Sequence, residues 1–346
     1  MKEEAAYLAD AFRRIIADSV TPQAIRTAER SASREPIWSA LAASGFLDAL
    51  VPEEAGGAGL TQDQAFPLIL ALGEHAVPVP FAETMIARGL LAAGGVPAPE
   101  EAAIILAAGS AVQPCAAFAG HALVQDEDRL MLTRIEPGGK DIFGLGGTAD
   151  IQRGEVLAAT PAEPGILLRA AAAVTAAQMA GAMARMLEMT LRYAGERKQF
   201  GKPLAKFQAI QQQLAVMAEQ VISAQVAARS AFCGTQFDQA RVAAAKCRAN
   251  EAAELVCAIA HAVHGAIGVT EEFDLQLYSR RLKQWQLAYG SASFWGAELG
   301  RIRVAAGSVT SADFIRSHLA CQERLLTSAA NSLKGANPAE APAIPG

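Results

Sequence analysis

The chain has 346 residues, 52% of them hydrophobic but only 6% aromatic, and a formal net charge of −5. That length supports two or three domains with a sizeable core. The acidic balance and the lack of a lysine/arginine block argue against a nucleic-acid binder. Apolar content drawn mostly from alanine, leucine and valine suits closely packed helices. The five cysteines, Cys115, Cys233, Cys247, Cys257 and Cys321, have no metal-ligand spacing, and an odd number suits reduced thiols. The acidic start has no signal-peptide run, and no stretch reaches transmembrane length without a charge or glycine break. A cytoplasmic protein with no membrane span is expected.

In chain order, residues 3–30 predict a helix with Leu8, Phe12, Ile15 and Ile16 on one face, broken near Thr21-Pro22. Pro36 and Trp38 open a second helix. Val51–Gly59 is a glycine-rich loop, but it lacks the preceding strand and the Lys-Ser/Thr of a phosphate cradle. Helical patterns over Asp63–Leu72, Phe81–Ala93 and Glu100–Ala108 complete an all-helical module over residues 1–110. Between 111 and 164 short runs appear at Ala116–Ala119, Ala122–Val124, Arg129–Ile135 and Glu155–Thr160, separated by turn residues. They predict a small β-module of four to six strands.

From 165 to 333 the pattern is helical again. Asp238 is a candidate N-cap for a helix through Ala262, and His264–Thr270 breaks it with two glycines. Thr270-Glu-Glu resembles a cap for a helix over Asp274–Trp285. Helices over Ser291–Ala306 and His318–Leu333 follow. The tail 334–346, rich in proline and alanine, is expected to be disordered. The fold class is therefore mainly α with a small β-module.

The most distinctive stretch is Arg192–Gln208, which joins two alanine-rich helical patterns. It carries five cations, and Gly201-Lys202-Pro203 supplies a helix stop and restart. The residue types alone allow a solvated turn as readily as a binding site.

Four stretches in register resemble the acyl-CoA dehydrogenase family. They are Trp38…Gly45-Phe46…Val51–Gly59; Arg192-Tyr193-Ala194…Arg197–Leu204…Phe207–Gln211; His264–Glu272, with Ala266 replacing a glycine; and Arg280–Gln286…Gly290-Ser291. The resemblance implies an N-terminal helical domain, a middle β-domain, a C-terminal helical bundle and α,β-dehydrogenation of an acyl-CoA thioester with FAD. A fixed guanidinium makes paired, charge-assisted hydrogen bonds to a pyrophosphate. By resemblance Arg197 takes that role, with Gln199 and Phe200 beside it. Leu204, Gln208 and Ile210 would line the adenine end, and Gly265 belongs to the glycine turn. In the family this joint reaches a neighbouring subunit's flavin, which implies a homodimer, a tetramer or a heteromer.

The chain departs from the family pattern in three ways. The usual carboxylate base sits just before Gly290, where this chain has Tyr289, and the alternative base position falls at Ala171. A phenol of ordinary pKa ~10 is a poor base at neutral pH. Glu272, Glu271 and His264 are weaker candidates, so the catalytic residue stays open. The β-module is about half the expected size, and Glu136-Pro137-Gly138-Gly139 only echoes the usual flavin loop. The joint is nevertheless kept. The pattern resembles a short subunit of a heteromeric acyl-CoA dehydrogenase of the steroid-degrading kind, paired with a longer subunit. A self-sufficient homo-oligomer using Glu272 and a non-catalytic helical assembly protein are the alternatives.

Overall fold

The computed structural model describes residues 2–31, 33–109, 112–139, 141–146 and 149–321. Five helices come first: α1 (Lys2–Ser19), α2 (Pro22–Ser31), α3 (Glu35–Ala42), α4 (Gln62–Glu74) and α5 (Phe81–Ala93). The break at Thr21-Pro22 and the helix over 81–93 lie where the pattern put them. Thr61 and Gln64 form a capping box that starts α4. The Val51–Gly59 loop uses its own amides internally. Gly57 N–H donates to Pro52 O, Ala58 N–H to Asp48 O and Gly59 N–H to Val51 O, which leaves no open anion cradle.

The sheet runs β1 (Ile104–Ala107), β2 (His121–Asp126), β3 (Arg129–Pro137) and β4 (Ala149–Pro161) in that spatial order. Its first pair is parallel and the others antiparallel. Two expectations change here. Residues 104–107 form a strand rather than the end of a helix, and Ala116–Ala119 form a turn. Ile104, Ile105 and Leu106 are fully buried, so β1 is an apolar run without alternation, which sequence periodicity cannot separate from buried helix.

The C-terminal bundle contains α6 (Ile166–Glu196), the hairpin strands β5 (Lys198–Gln199) and β6 (Lys202–Pro203), α7 (Gln208–Ala231), α8 (Gln239–His264), α9 (Leu275–Leu287), α10 (Ala292–Ala305) and the single turn α11 (Ser311–Phe314). Asp238 caps α8 and Ser291 caps α10 through side-chain oxygens. Thr270 does not cap α9; its hydroxyl donates to Ile267 O, and Asp274 occupies the N-cap. The helix expected over 318–333 and the tail 334–346 fall largely outside the described residues.

The alanine richness of α6 reflects very close helix contact. A Cβ added at Gly73 on α4 would lie 2.0 Å from Gln178 O on α6, and one at Gly181 on α6 would lie 2.1 Å from Leu70 O on α4. Only glycine allows this reciprocal approach. Two helical segments, Ile166–Glu196 and Gln239–Val269, are apolar and long enough to cross a membrane. In the protein 89% and 50% of their apolar windows are buried, so packing accounts for much of their composition. Cys233 and Cys321 are joined as a disulfide with Cα atoms 5.7 Å apart, which corrects the expectation of five reduced thiols.

Candidate cofactor and active site

The joint is a two-stranded hairpin. Lys198 pairs with Pro203 and Gln199 with Lys202, and Phe200 and Gly201 form the two-residue turn at φ 49° and 79°. Two consecutive left-handed residues are the mark of a tight hairpin turn. A phenylalanine is costly there, yet Phe200 is 91% exposed and gains little internal packing in return. Such strain at an exposed apolar side chain points to a surface that is used. Lys202 Nζ lies 4.3 Å from the Phe207 ring centre, and that ring stands edge-on to Phe200.

Arg197 closes α6, its N–H donating to Tyr193 O at 2.8 Å while its own carbonyl accepts from Leu204 N–H at 2.8 Å. Its backbone is fixed, its side chain is exposed, and among the described residues its guanidinium has no carboxylate partner. Gln199 and Gln208 are also exposed, whereas Leu204 and Ile210 are half-buried and pack on the core with one edge outward.

The glycine turn sits against this hairpin's helix. Tyr193 stacks on His264 with ring centres 4.5 Å apart, and its hydroxyl donates to His264 O at 3.3 Å. His264 Nδ1 is 2.8 Å from Ala260 O, and the residue is buried. Burial holds the imidazole below its ordinary pKa, the Ala260 contact opposing this. His264 therefore orders the turn. Gly265 follows at φ 64°, ψ −143°, a conformation open essentially only to glycine. Tyr193, one turn before Arg197, thus packs the two sequence-distant stretches against each other.

The expected base positions lie elsewhere, in the interior. Ala171 and Tyr289 are each 1% exposed. Tyr289 adopts φ 55° and is held there: Trp295 Nε1 donates to its carbonyl at 2.8 Å, and Lys246 and Asn250 both donate to Gly290 O. Lys246 is wholly buried, with Nζ 2.7 Å from Asn250 Oδ1 and 2.8 Å from Trp285 O; burial pushes its ammonium down to about 7. Burial also raises the Tyr289 phenol well above its ordinary pKa, and the Glu83 and Cys115 side chains add to this.

Sequence reasoning missed Glu83. It lies on α5, 2% exposed, and burial pushes its carboxyl up to about 7 despite a hydrogen bond with Gln178. Its Oε2 has no partner among the described residues. Burial, with Glu83 next, pushes the Cys115 thiol up to about 12. Only its position in a helical run that reads as apolar could have marked Glu83. By contrast, Glu271 and Glu272 are in an exposed loop, where Glu271 pairs with Arg30 and Arg26 holds both backbone carbonyls.

Residues 2–101 match the model of the acyl-CoA dehydrogenase N-terminal domain, and residues 167–294 match that of the C-terminal domain. The chain belongs to the acyl-CoA dehydrogenase family. Acyl-CoA dehydrogenase IpdE2 of Mycobacterium tuberculosis is 30% identical over 84% of this chain and 92% of that protein. The IpdE2 protein of Mycolicibacterium smegmatis is 28% identical over 88% of this chain and 98% of its own length. Among solved structures, a variant of the Tcur3481-Tcur3483 steroid ACAD superposes with a TM-score of 0.74 at 26% identity, covering 89% of this chain and 99% of that one. The ChsE4-ChsE5 complex of Mycobacterium tuberculosis gives the same TM-score at 22% identity over 90% of this chain and 99% of that one, a likeness of fold. Acyl-CoA dehydrogenases of this fold thus include chains of similar extent to this one.

Proposed function

We propose that this chain is a subunit of a heteromeric acyl-CoA dehydrogenase that completes the FAD site of a longer partner subunit. The supporting observation is an asymmetry. Arg197 is exposed and has no carboxylate partner among the described residues, whereas the usual base position is a buried tyrosine. Val216, Ile222 and Val226 on α7 are further exposed apolar side chains, of the kind a subunit contact would cover. The steroid ACAD among the similar structures supports a steroid-derived acyl-CoA as substrate.

In this reading Arg197 holds the pyrophosphate with paired hydrogen bonds, with Gln199 and Phe200 beside it. Leu204, Gln208 and Ile210 line the adenine end. Gly265 keeps side-chain atoms away from the cofactor's path; no atom lies within 4 Å of where a Cβ would stand. Bound FAD would accept hydride from the acyl chain, and the partner subunit would supply the base. Tyr289 cannot, because burial keeps its phenol protonated.

The test is the visible spectrum of the chain purified alone and after co-expression with a longer acyl-CoA dehydrogenase subunit. Flavin absorbance in the co-purified complex, absent from the lone chain, is expected. Stoichiometric flavin in the lone chain, bleached by an acyl-CoA, would refute the proposal and favour the homo-oligomeric enzyme.

A further inference from the structure

Helix α2 grips the segment that leads into α9 through one guanidinium. Arg26 Nε donates to Glu271 O at 3.1 Å, and Nη2 donates to Glu272 O at 3.4 Å and to Asp274 Oδ1 at 2.6 Å. The Arg26 side chain is only 16% exposed, so the Asp274 contact is a charge-assisted bond largely withdrawn from water. Beside it, Arg280 and Arg281 of α9 both hold the Glu29 carboxylate of α2. The neighbouring Arg30–Glu271 pair differs: its side chains are 69% and 81% exposed, and a surface pair of that kind contributes little.

The three residues that Arg26 grips flank Phe273. Residues 270–274 form neither helix nor strand, and no other side chain among the described residues donates to Glu271 O or Glu272 O. Phe273 is half-buried against the core. Its ring centre lies 4.9 Å from that of His264, and the ring stands edge-on to Tyr193 at 6.1 Å. His264 stacks on Tyr193 and immediately precedes Gly265. Tyr193 O accepts the N–H of Arg197. A continuous set of contacts therefore runs from Arg26 on α2, through three aromatic rings, to the glycine turn and the end of α6.

We propose that Arg26 is a positioning residue for the cofactor surface. It fixes Phe273 against His264, and the His264–Tyr193 stack then sets the glycine turn and the helix end that carries Arg197. This rests on the proposed function, in which Gly265 and Arg197 meet FAD. The role follows from what the segment lacks. Without the guanidinium both carbonyls face water, and ring contacts alone hold Phe273 in register. A planar fork suits this task, because it reaches two carbonyls and a carboxylate at once; an ammonium on a flexible stem does not.

The test uses the full chain carrying Arg26→Ala, Arg26→Lys, Arg30→Ala or Phe273→Leu. Aromatic proton–carbon NMR spectra of the lone chain read the ring currents on His264. In Arg26→Ala those signals should move toward the positions of a histidine with no ring stacked on it. FAD titration of the flavin-stripped complex should show binding weakened roughly 2- to 30-fold, the range of coupling carried through packed contacts. Arg26→Lys should fall between parent and alanine, and Arg30→Ala should stay within about twofold of the parent. In the Phe273→Leu background, Arg26→Ala should add less than about a twofold loss, because the two act through one route. Unmoved His264 signals in Arg26→Ala, or a full Arg26→Ala effect in the Phe273→Leu background, would overturn the proposal. Should Arg26→Ala fail to fold, parent-like FAD affinity in Phe273→Leu would overturn it. Unchanged FAD affinity in Arg26→Ala beside weakened binding in Arg197→Ala removes the positioning role and leaves the proposed function standing. Unchanged affinity in both overturns the proposed function, and this inference with it.

Discussion

Replacing Arg197 with alanine separates binding from folding. The guanidinium is exposed and has no ion pair among the described residues, so its loss should change the stability of the chain by less than about 0.5 kcal/mol. Bound to a pyrophosphate, the same group makes charge-assisted hydrogen bonds, each worth roughly 1.5–3 kcal/mol. At 1.4 kcal/mol per decade, losing one such contact weakens FAD binding about 10- to 150-fold. Arg197→Lys keeps the charge but loses the planar fork, so its affinity should fall between those of the parent and the alanine variant. The assay is FAD titration of the flavin-stripped complex by fluorescence quenching, with thermal unfolding of the lone chain alongside. Unchanged FAD affinity would refute the role given to Arg197. A large drop in melting temperature would refute the claim that its side chain does no internal work.

The buried carboxyl and the cysteines give the remaining predictions. Glu83 is pushed from 4.5 up to about 7, so the folded chain holds its proton more tightly than the unfolded one. The associated stability is full below pH 4.5 and lost as pH rises through 7, at a cost of about 3 kcal/mol. Glu83→Gln should therefore match the parent near pH 4.5 and exceed it at pH 8 in denaturant titrations; a difference independent of pH would dispose of this account. Alkylation of the unreduced, denatured chain should modify Cys115, Cys247 and Cys257 and spare the Cys233–Cys321 pair, as mass spectrometry would read directly. Cys233→Ser removes a cross-link between positions 88 residues apart and should cost roughly 2–5 kcal/mol of stability.

Most helices were legible because they are long and carry period-3.6 apolar faces with local caps such as Asp238 and Ser291. The hairpin was legible as a joint but not as a hairpin. Nothing local announces that Phe200 will take a left-handed conformation that glycine usually fills. Strand β1 was misread as helix because a short, fully buried run has no face to alternate. The Cys233–Cys321 link was missed because pairing depends on two Cα atoms meeting, not on spacing or parity.

The sequence by itself determined the family, the helical frame and the departure at the family's usual base positions, since Tyr289 and Ala171 are read directly from the chain. It also marked Arg197 and Gly265 as separate motifs. Only the tertiary structure packed the helix that Arg197 ends against the glycine turn, through Tyr193 and His264, buried Glu83 beside the tyrosine, and laid Asp141–Leu145 across α9. The division has a physical cause. Helix periodicity and capping act over a few residues and leave a local trace. Burial, pKa shifts and a segment pinned by Arg34, Arg280 and Gln284 depend on groups more than 100 residues apart, which no local pattern encodes.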